Sequence, residues 1–422
     1  MRRRHLKTAG ISHDFHLQTS GAVDTRKLSG GEIVTDAHMV REHRFTTYLS
    51  YIGVALLFGW VAPSHTSTKP VPNTPTLYTT SLVPIGQVAC ALNAVGQIAG
   101  ITNYAVGANT RPVIWNQDTP TSAAVAPITQ DEFCSVGAIN DAGQIVGGFN
   151  SDVAIVPFVW SSGGVQQIPL LSGAIGGQAS GINQIGDIVG NSYGVDGTLA
   201  FVWRVGTDVQ ELAALPNDTF SNAYSINDAG QAAGTSGNDN SRHAVLWSNS
   251  GVVQDLGTLP GDTSSAAAGI NTAGDVVGYS EGSGGRRAFL WNTATGMQDL
   301  GQLSNCTDSE ALAINDSGAV VGNCTVSGES HAFLWTAQGG MQDLNQLIIW
   351  TPQPGTPALS QPTTSGALPI VLLGAHAINN KGQIIATAMD ALPCTSVSGT
   401  CPMWDCAPVP RYFFVLTTAT PQ

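Results

Sequence analysis

The stretch Ser225-Ile-Asn-Asp-Ala-Gly-Gln-Ala-Ala-Gly234 decides the fold, because it returns as Gly269-Ile-Asn-Thr-Ala-Gly-Asp-Val-Val-Gly278 and as Ala313-Ile-Asn-Asp-Ser-Gly-Ala-Val-Val-Gly322. Each copy has a small residue, Ile, Asn, a turn and a short apolar run that ends in Gly. Seven copies align on Asn93, Asn140, Asn183, Asn227, Asn271, Asn315 and Asn379, at spacings of 47, 43, 44, 44, 44 and 64. In such a turn Asn and Asp bond to nearby backbone N–H groups, and Gly takes the left-handed conformation that completes a hairpin. The seven Asn are therefore read as structural turn residues, in preference to a sevenfold ligand or metal crown.

A second landmark keeps the same step: Trp115, Trp160, Trp203, Trp247, Trp291 and Trp335 each close a run such as Ala288-Phe-Leu-Trp291. A third segment follows, as in Met297-Gln-Asp-Leu300 and Met341-Gln-Asp-Leu344. These give four short strands per unit: a ends in Ile-Asn, b is the Gln-Ile-Val-Gly type, c ends in Trp and d is Met-Gln-Asp-Leu. Strands b and c are rich in the β-branched and aromatic residues that a sheet favours. Four strands in about 44 residues is the blade of a β-propeller. The sequence thus predicts an all-β, seven-bladed β-propeller of four-stranded antiparallel blades.

The seventh unit departs from the pattern. After Ala377-Ile-Asn379 and Gln383-Ile-Ile385 comes a long loop, then Arg411-Tyr-Phe-Phe-Val-Leu416 in the place of strand c, with no strand d behind it. Leu77–Val83 precedes the first strand a where a strand d would lie. Pairing of 77–83 with 411–416 is expected to complete the last blade and remove the free edges of the ring. The ring then covers 77–417, with a Pro-rich insertion at 345–374, a Cys-bearing loop at 389–410 and a tail at 418–422.

The repeat resembles the HAF family of bacterial extracellular repeat proteins, named for a His-Ala-Phe motif. That motif stands as His331-Ala332-Phe333, and nearly so as Arg287-Ala288-Phe289 and His243-Ala244-Val245. The resemblance covers about residues 77–417 and implies export and a repeat fold rather than an activity; the strand order also looks kelch-like.

Export has its own signal. Residues 1–44 form a polar leader in which Met39 is the expected true start. The apolar run Leu49–Ala62 and Ala62-Pro63-Ser64 make residues 45–64 a signal-peptide core and cleavage site. Residues 65–76 are a Pro-, Thr- and Ser-rich linker. The apolar run is short for a spanning helix, so no membrane insertion of the mature chain is expected. Eight of the 16 Lys and Arg but only five of the 29 acids precede residue 45, which leaves 8 − 24 = −16 for the rest. Such a body repels phosphate polymers, and no nucleic-acid partner is expected.

Seven Cys in an exported chain suggest disulfides. Cys306 and Cys324 lie nine residues either side of Asn315, at the far ends of one a–b hairpin, and are expected to bridge. One bridge is expected among Cys394, Cys401 and Cys406, while Cys90 and Cys134 either pair or remain buried thiols.

Searching for chemistry gives little. Gly-x-Ser-x-Gly occurs only within b-type segments, at 190–194 and 278–282, with no helix after it to make an elbow; no His-Glu-x-x-His pair or P-loop occurs, and no cofactor or metal is expected. The position opening strand c holds Arg111, Val156, Leu199, His243, Arg287, His331 and Arg411. Arg111, His243, Arg287, His331 and Arg411 form a candidate binding ring for an anionic polymer; alternatively, each caps its own blade. The expectation is an exported, monomeric, non-enzymatic binding or scaffolding module. Its partner would be a polysaccharide or surface protein, and the alternative is a carbohydrate-active enzyme, a lyase or glycosidase, with an axial site.

Overall fold

The computed structural model describes residues 76–83, 87–102, 111–116, 119–124, 134–151, 153–195, 197–349, 370–390 and 412–419. All belong to one compact unit, Lys69–Gln422. The expected leader, signal peptide, most of the linker, and Cys394, Cys401 and Cys406 lie outside the described residues.

Seven antiparallel sheets follow one another around a ring. Blade four illustrates the unit: strand a is Phe220–Ile226, b Ala232–Gly237, c Arg242–Trp247 and d Val253–Asp255. Blade five repeats it with Ser264–Ile270, Val276–Gly282, Gly285–Asn292 and Gly296–Asp299. Blade six does so with Cys306–Ile314, Val320–Val326, Glu329–Thr336 and Gly340–Asp343. The apolar core lies between consecutive sheets. Val189, Ala200 and Val202 of blade three, for instance, pack on Ala223, Ile226, Val245 and Trp247 of blade four.

The turn glycines Gly96, Gly143, Gly186, Gly230, Gly274, Gly318 and Gly382 have φ between 74° and 94°, the conformation that the repeat predicted. The Gly closing strand b answers to a different constraint. A Cβ at Gly278 would collide with the Ala266 carbonyl oxygen on strand a, and one at Gly234 with that of Asn222.

The ring closes as expected. Tyr78–Leu82 pairs antiparallel with Tyr412–Thr418, from Tyr78 opposite Thr418 to Leu82 opposite Phe414, and so supplies strand d of blade seven. A fifth strand, Ile348–Ile349, runs parallel to it on the outside. The stretch read as an insertion thus contributes both its ends to the ring, because Ile370–Ile378 is strand a of blade seven.

One alignment is corrected. In blades four, five and six the residue opposite position nine after the repeat Asn is His243, Arg287 or His331. In blade seven that residue is Tyr412, opposite Ala388, and Arg411 falls one place earlier. Leu416 replaces the Trp that anchors the other copies, so the sequence offered no landmark for the register.

Cys306 and Cys324 form a disulfide across the outer end of the blade-six a–b hairpin, with Cα atoms 5.9 Å apart. Among the described residues, no helix is long and apolar enough to cross a membrane.

Candidate functional site

Two mouths of the central channel differ in construction. At the first, the repeat Asn side chains are all buried. Each Oδ1 accepts the N–H four residues on, as from Gln231 to Asn227 at 3.0 Å, which is the turn chemistry expected. Each Nδ2 also donates to the main-chain oxygen of the next blade's Asn. The sequence runs Asn93 to Asn140, to Asn183, to Asn227, to Asn271, to Asn315 and to Asn379, which returns to Asn93 at 2.9 Å. The ladder is therefore a closed belt between blades as well as a set of turns.

The next residue in each turn makes a second, outer ring. The Ala94 N–H donates to Asp141, Asp141 to Gln184, Gln184 to Asp228, Thr272 to Asp316 and Asp316 to Asn380, at 2.8–3.0 Å. It is interrupted where the receiving side chain is too short, at Thr272 and Ala94. Across the second gap Lys381 Nζ reaches the Val95 carbonyl at 2.9 Å. The carboxylates here accept main-chain N–H groups. Burial alone would raise Asp316, but bonds from the Thr272 amide, the Thr272 hydroxyl and the Asn380 side chain outweigh it and hold the carboxyl below its usual range. Among the described residues no cluster of His, Cys, Asp and Glu is arranged to hold a metal ion.

The channel wall is set by a row of seven β-bulges, found in every inner strand three residues before the repeat Asn. The extra residues are Cys90, Gly137, Ser180, Tyr224, Ala268, Leu312 and His376. A bulge re-aims a side chain out of the alternating pattern, and this row is the least uniform in the repeat. Tyr224 is 42% exposed. Solvent also reaches His376, whose Nε2 lies 3.0 Å from the Thr387 hydroxyl; desolvation by the surrounding strands still lowers its pKa.

Above the Tyr224 bulge, toward the b–c loops, a cavity of about 380 Å³ opens across blades four to six. It exists because the inner strand of blade five reads Ala266-Ala267-Ala268, where blade four has Asn222 and Tyr224 and blade six has Glu310 and Leu312. Phe220, Tyr224 and Tyr279 give it aromatic walls, and Asn222, Arg242 and Glu310 give it polar edges. The charges are linked in a chain: Arg242 to Glu281 at 3.5 Å, Glu281 to Arg286 at 3.6 Å and Arg286 to Glu310 at 3.3 Å. Both guanidinium groups also lie by the Tyr279 ring, Arg286 at 4.2 Å and Arg242 at 5.7 Å from its centre. Such stacking holds an Arg head in place.

Burial raises the Tyr224 and Tyr279 phenols, so both are hydrogen-bond donors at neutral pH. Burial also raises Glu310, against the pull of Arg286. The Thr235 hydroxyl lines the same cavity, 2% exposed, and its hydrogen bond with the Tyr224 phenol pulls that group's pKa down against burial.

The residues singled out in the sequence lie one place along from this cluster. His243 Nδ1 is 2.9 Å from Asp255, Arg287 Nη1 is 3.1 Å from Asp299, and His331 Nδ1 is 2.9 Å from Asp343, each acid on strand d of the same blade. Arg287 also meets Asp262 at 2.9 Å. Arg111 opens strand c of blade one with its side chain outside the described residues, as is Arg411. Sequence reasoning passed over Arg242, Arg286, Tyr224, Tyr279, Glu281 and Glu310, because no single repeat carries the set. A faint signal was present in the Ser-Ser-Ala-Ala-Ala-Gly run, the inner strand with the smallest side chains.

The architecture is that of a seven-bladed β-propeller. A family model described as protein of unknown function (DUF3466) matches residues 174–403, more than half of the chain, and the chain belongs to that family. This overturns the HAF assignment. The His-Ala-Phe triplet has a packing explanation: His331 is held by Asp343, while Ala332 and Phe333 are fully buried. It marks a well-packed strand c rather than a lineage, and the kelch comparison falls with it.

No curated protein matches the chain in sequence. Among solved structures, a prolyl endopeptidase is similar at 9% identity and TM-score 0.50, over 74% of this chain and 46% of that one. Streptogramin B lyase matches at 15% identity and TM-score 0.45, over 80% of this chain and 95% of that one. The β-propeller domain of the Trilobed protease from Pyrococcus furiosus matches at 12% identity and TM-score 0.46, over 61% and 81%. At these identities the likeness is one of fold.

Proposed function

We propose that this propeller is an exported, non-enzymatic binding module that holds a polysaccharide in the cavity across blades four to six. The observation that carries the reading is the pairing of an exposed aromatic ring with charged groups that neutralise one another. Tyr224 offers a flat apolar face, and the Arg242–Glu281–Arg286–Glu310 chain offers fixed donors and acceptors beside it. A sugar ring presents apolar C–H faces and a rim of hydroxyls that both donate and accept, which such a wall satisfies.

Two Arg against two Glu leave the site without net charge, and the whole chain carries −13. A neutral glycan suits it better than an anionic one. Export is supported by the disulfide, which persists in oxidising compartments. The enzymatic alternative draws on one observation: Glu281 and Glu310 both contact Arg286, and Glu310 has a raised pKa, as a general acid requires. Incubating the propeller with neutral and acidic polysaccharides, scored for both retention and new reducing ends, tests both readings. Retention lost in Tyr224→Ala without cleavage by the native chain supports binding. Cleavage abolished by Glu310→Gln supports the enzyme, and retention unchanged in Tyr224→Ala overturns the assigned site.

A further inference from the structure

A second cavity, of about 290 Å³, lies one blade further round. Its lining repeats that of the first by register. Arg286 stands where Arg242 stands, each five residues before its strand-c Trp. Glu310 stands where Ala266 stands, five before the repeat Asn. Asn323 replaces Tyr279 at eight residues after that Asn, and Thr325 adds a hydroxyl at ten, the position of Glu281, which reaches the first cavity only through its ion pair with Arg242. Glu310 lines both cavities, and its ion pair with Arg286 joins them.

Resting on the saccharide reading above, we propose that the two cavities are consecutive subsites for a glycan chain running around the funnel wall, one sugar unit per blade. The first grips by aromatic stacking on Tyr224. The second is polar throughout and holds its unit by hydrogen bonds from Asn323 and Thr325. The Arg286–Glu310 pair between them presents donors and an acceptor toward the linkage. The site therefore measures the length of its ligand: a single unit gains one set of contacts and a linked pair gains both.

Calorimetric titration of the propeller with cello-, xylo-, chito- and malto-oligosaccharides of one to four units tests this. For the series that binds, affinity should rise about tenfold or more from one unit to two. Asn323→Leu should bring the two-unit ligand down to the affinity of the one-unit ligand and leave the latter unchanged. Thr325→Val, a smaller change, should act in the same direction and guards against misfolding of the first variant. Tyr224→Ala should weaken every length. Equal affinity for one and two units, or equal loss at both lengths in Asn323→Leu, overturns the two-subsite arrangement while leaving the binding reading intact. Failure of every series to bind the native chain overturns both.

Discussion

The two mouths of one channel obey opposite rules. At the turn mouth all seven blades carry the same Asn in the same bond to the next blade. At the funnel mouth, blades four, five and six each present a different residue at the same place: Asn222, Ala266 and Glu310 on strand a, or Thr235, Tyr279 and Asn323 on strand b. The uniform end keeps the ring together, and the varied end has room for chemistry because the other end does not depend on it. Blade six shows the contrast within one strand. Glu310 at its middle is raised by burial, whereas Asp316 just beyond its end is held low by three donors.

That contrast can be broken in several places. Deleting 77–83 removes strand d of blade seven and exposes two edges, so single-step thermal unfolding should give way to a broad transition at lower temperature; an unchanged melt would show that the inner belt closes the ring alone. Asn227→Ala orphans the Ala229 and Gln231 N–H groups and removes the bond to the Asn271 carbonyl, which keeps only its Gly274 N–H. Urea unfolding should show a loss of about 2–4 kcal/mol, since each buried unpaired group costs about 1–3 kcal/mol.

The acids of blade six should respond to pH with opposite signs. Asp316, lowered in the folded state, contributes stability that is present above its unfolded pKa and lost as pH falls through its folded one. Glu310, raised in the folded state, makes the native form bind the extra proton, so its contribution falls as pH rises from the unfolded value through the folded one. Measured across the acid range, Asp316→Asn should remove a rise of the urea midpoint with pH, and Glu310→Gln should remove a fall. The smallest effect on folding is expected for Tyr224→Ala, about 1 kcal/mol, because Tyr224 stands at the channel wall outside the apolar clusters between blades, 42% exposed. The same change should have the largest effect on glycan retention.

The parts legible in the sequence were those written once per blade. The Asn ladder and the Trp ladder counted the blades, and the half-blades at either end announced the closure. Cys306 and Cys324 announced their bridge by their symmetry about Asn315. The cross-blade donation of each Asn was hidden, because periodicity shows that an amide recurs without showing where its second nitrogen bond goes. The same applies to the buried serines Ser221, Ser265 and Ser309, which recur at a step of 44 and tie strand a to the preceding blade's strand c. The funnel cluster was hidden for the converse reason: its members lie on three blades and belong to no shared motif. Arg411 was placed one residue out because blade seven has Leu416 in place of its Trp.

The Asn belt has one further property. Every amide donates in the same rotational sense, and the bond from Asn379 to Asn93 is no different in kind from the six others. A cycle of this sort has no seam on its inner side; the seam exists only at the rim, where Tyr78–Leu82 meets Tyr412–Thr418. The order of blades around the axis is thus independent of where the polypeptide is interrupted. A circular permutant opened between blades four and five at the exposed pair Pro260–Gly261, with the native ends joined, should keep all seven inner bonds and move the rim seam to a new junction.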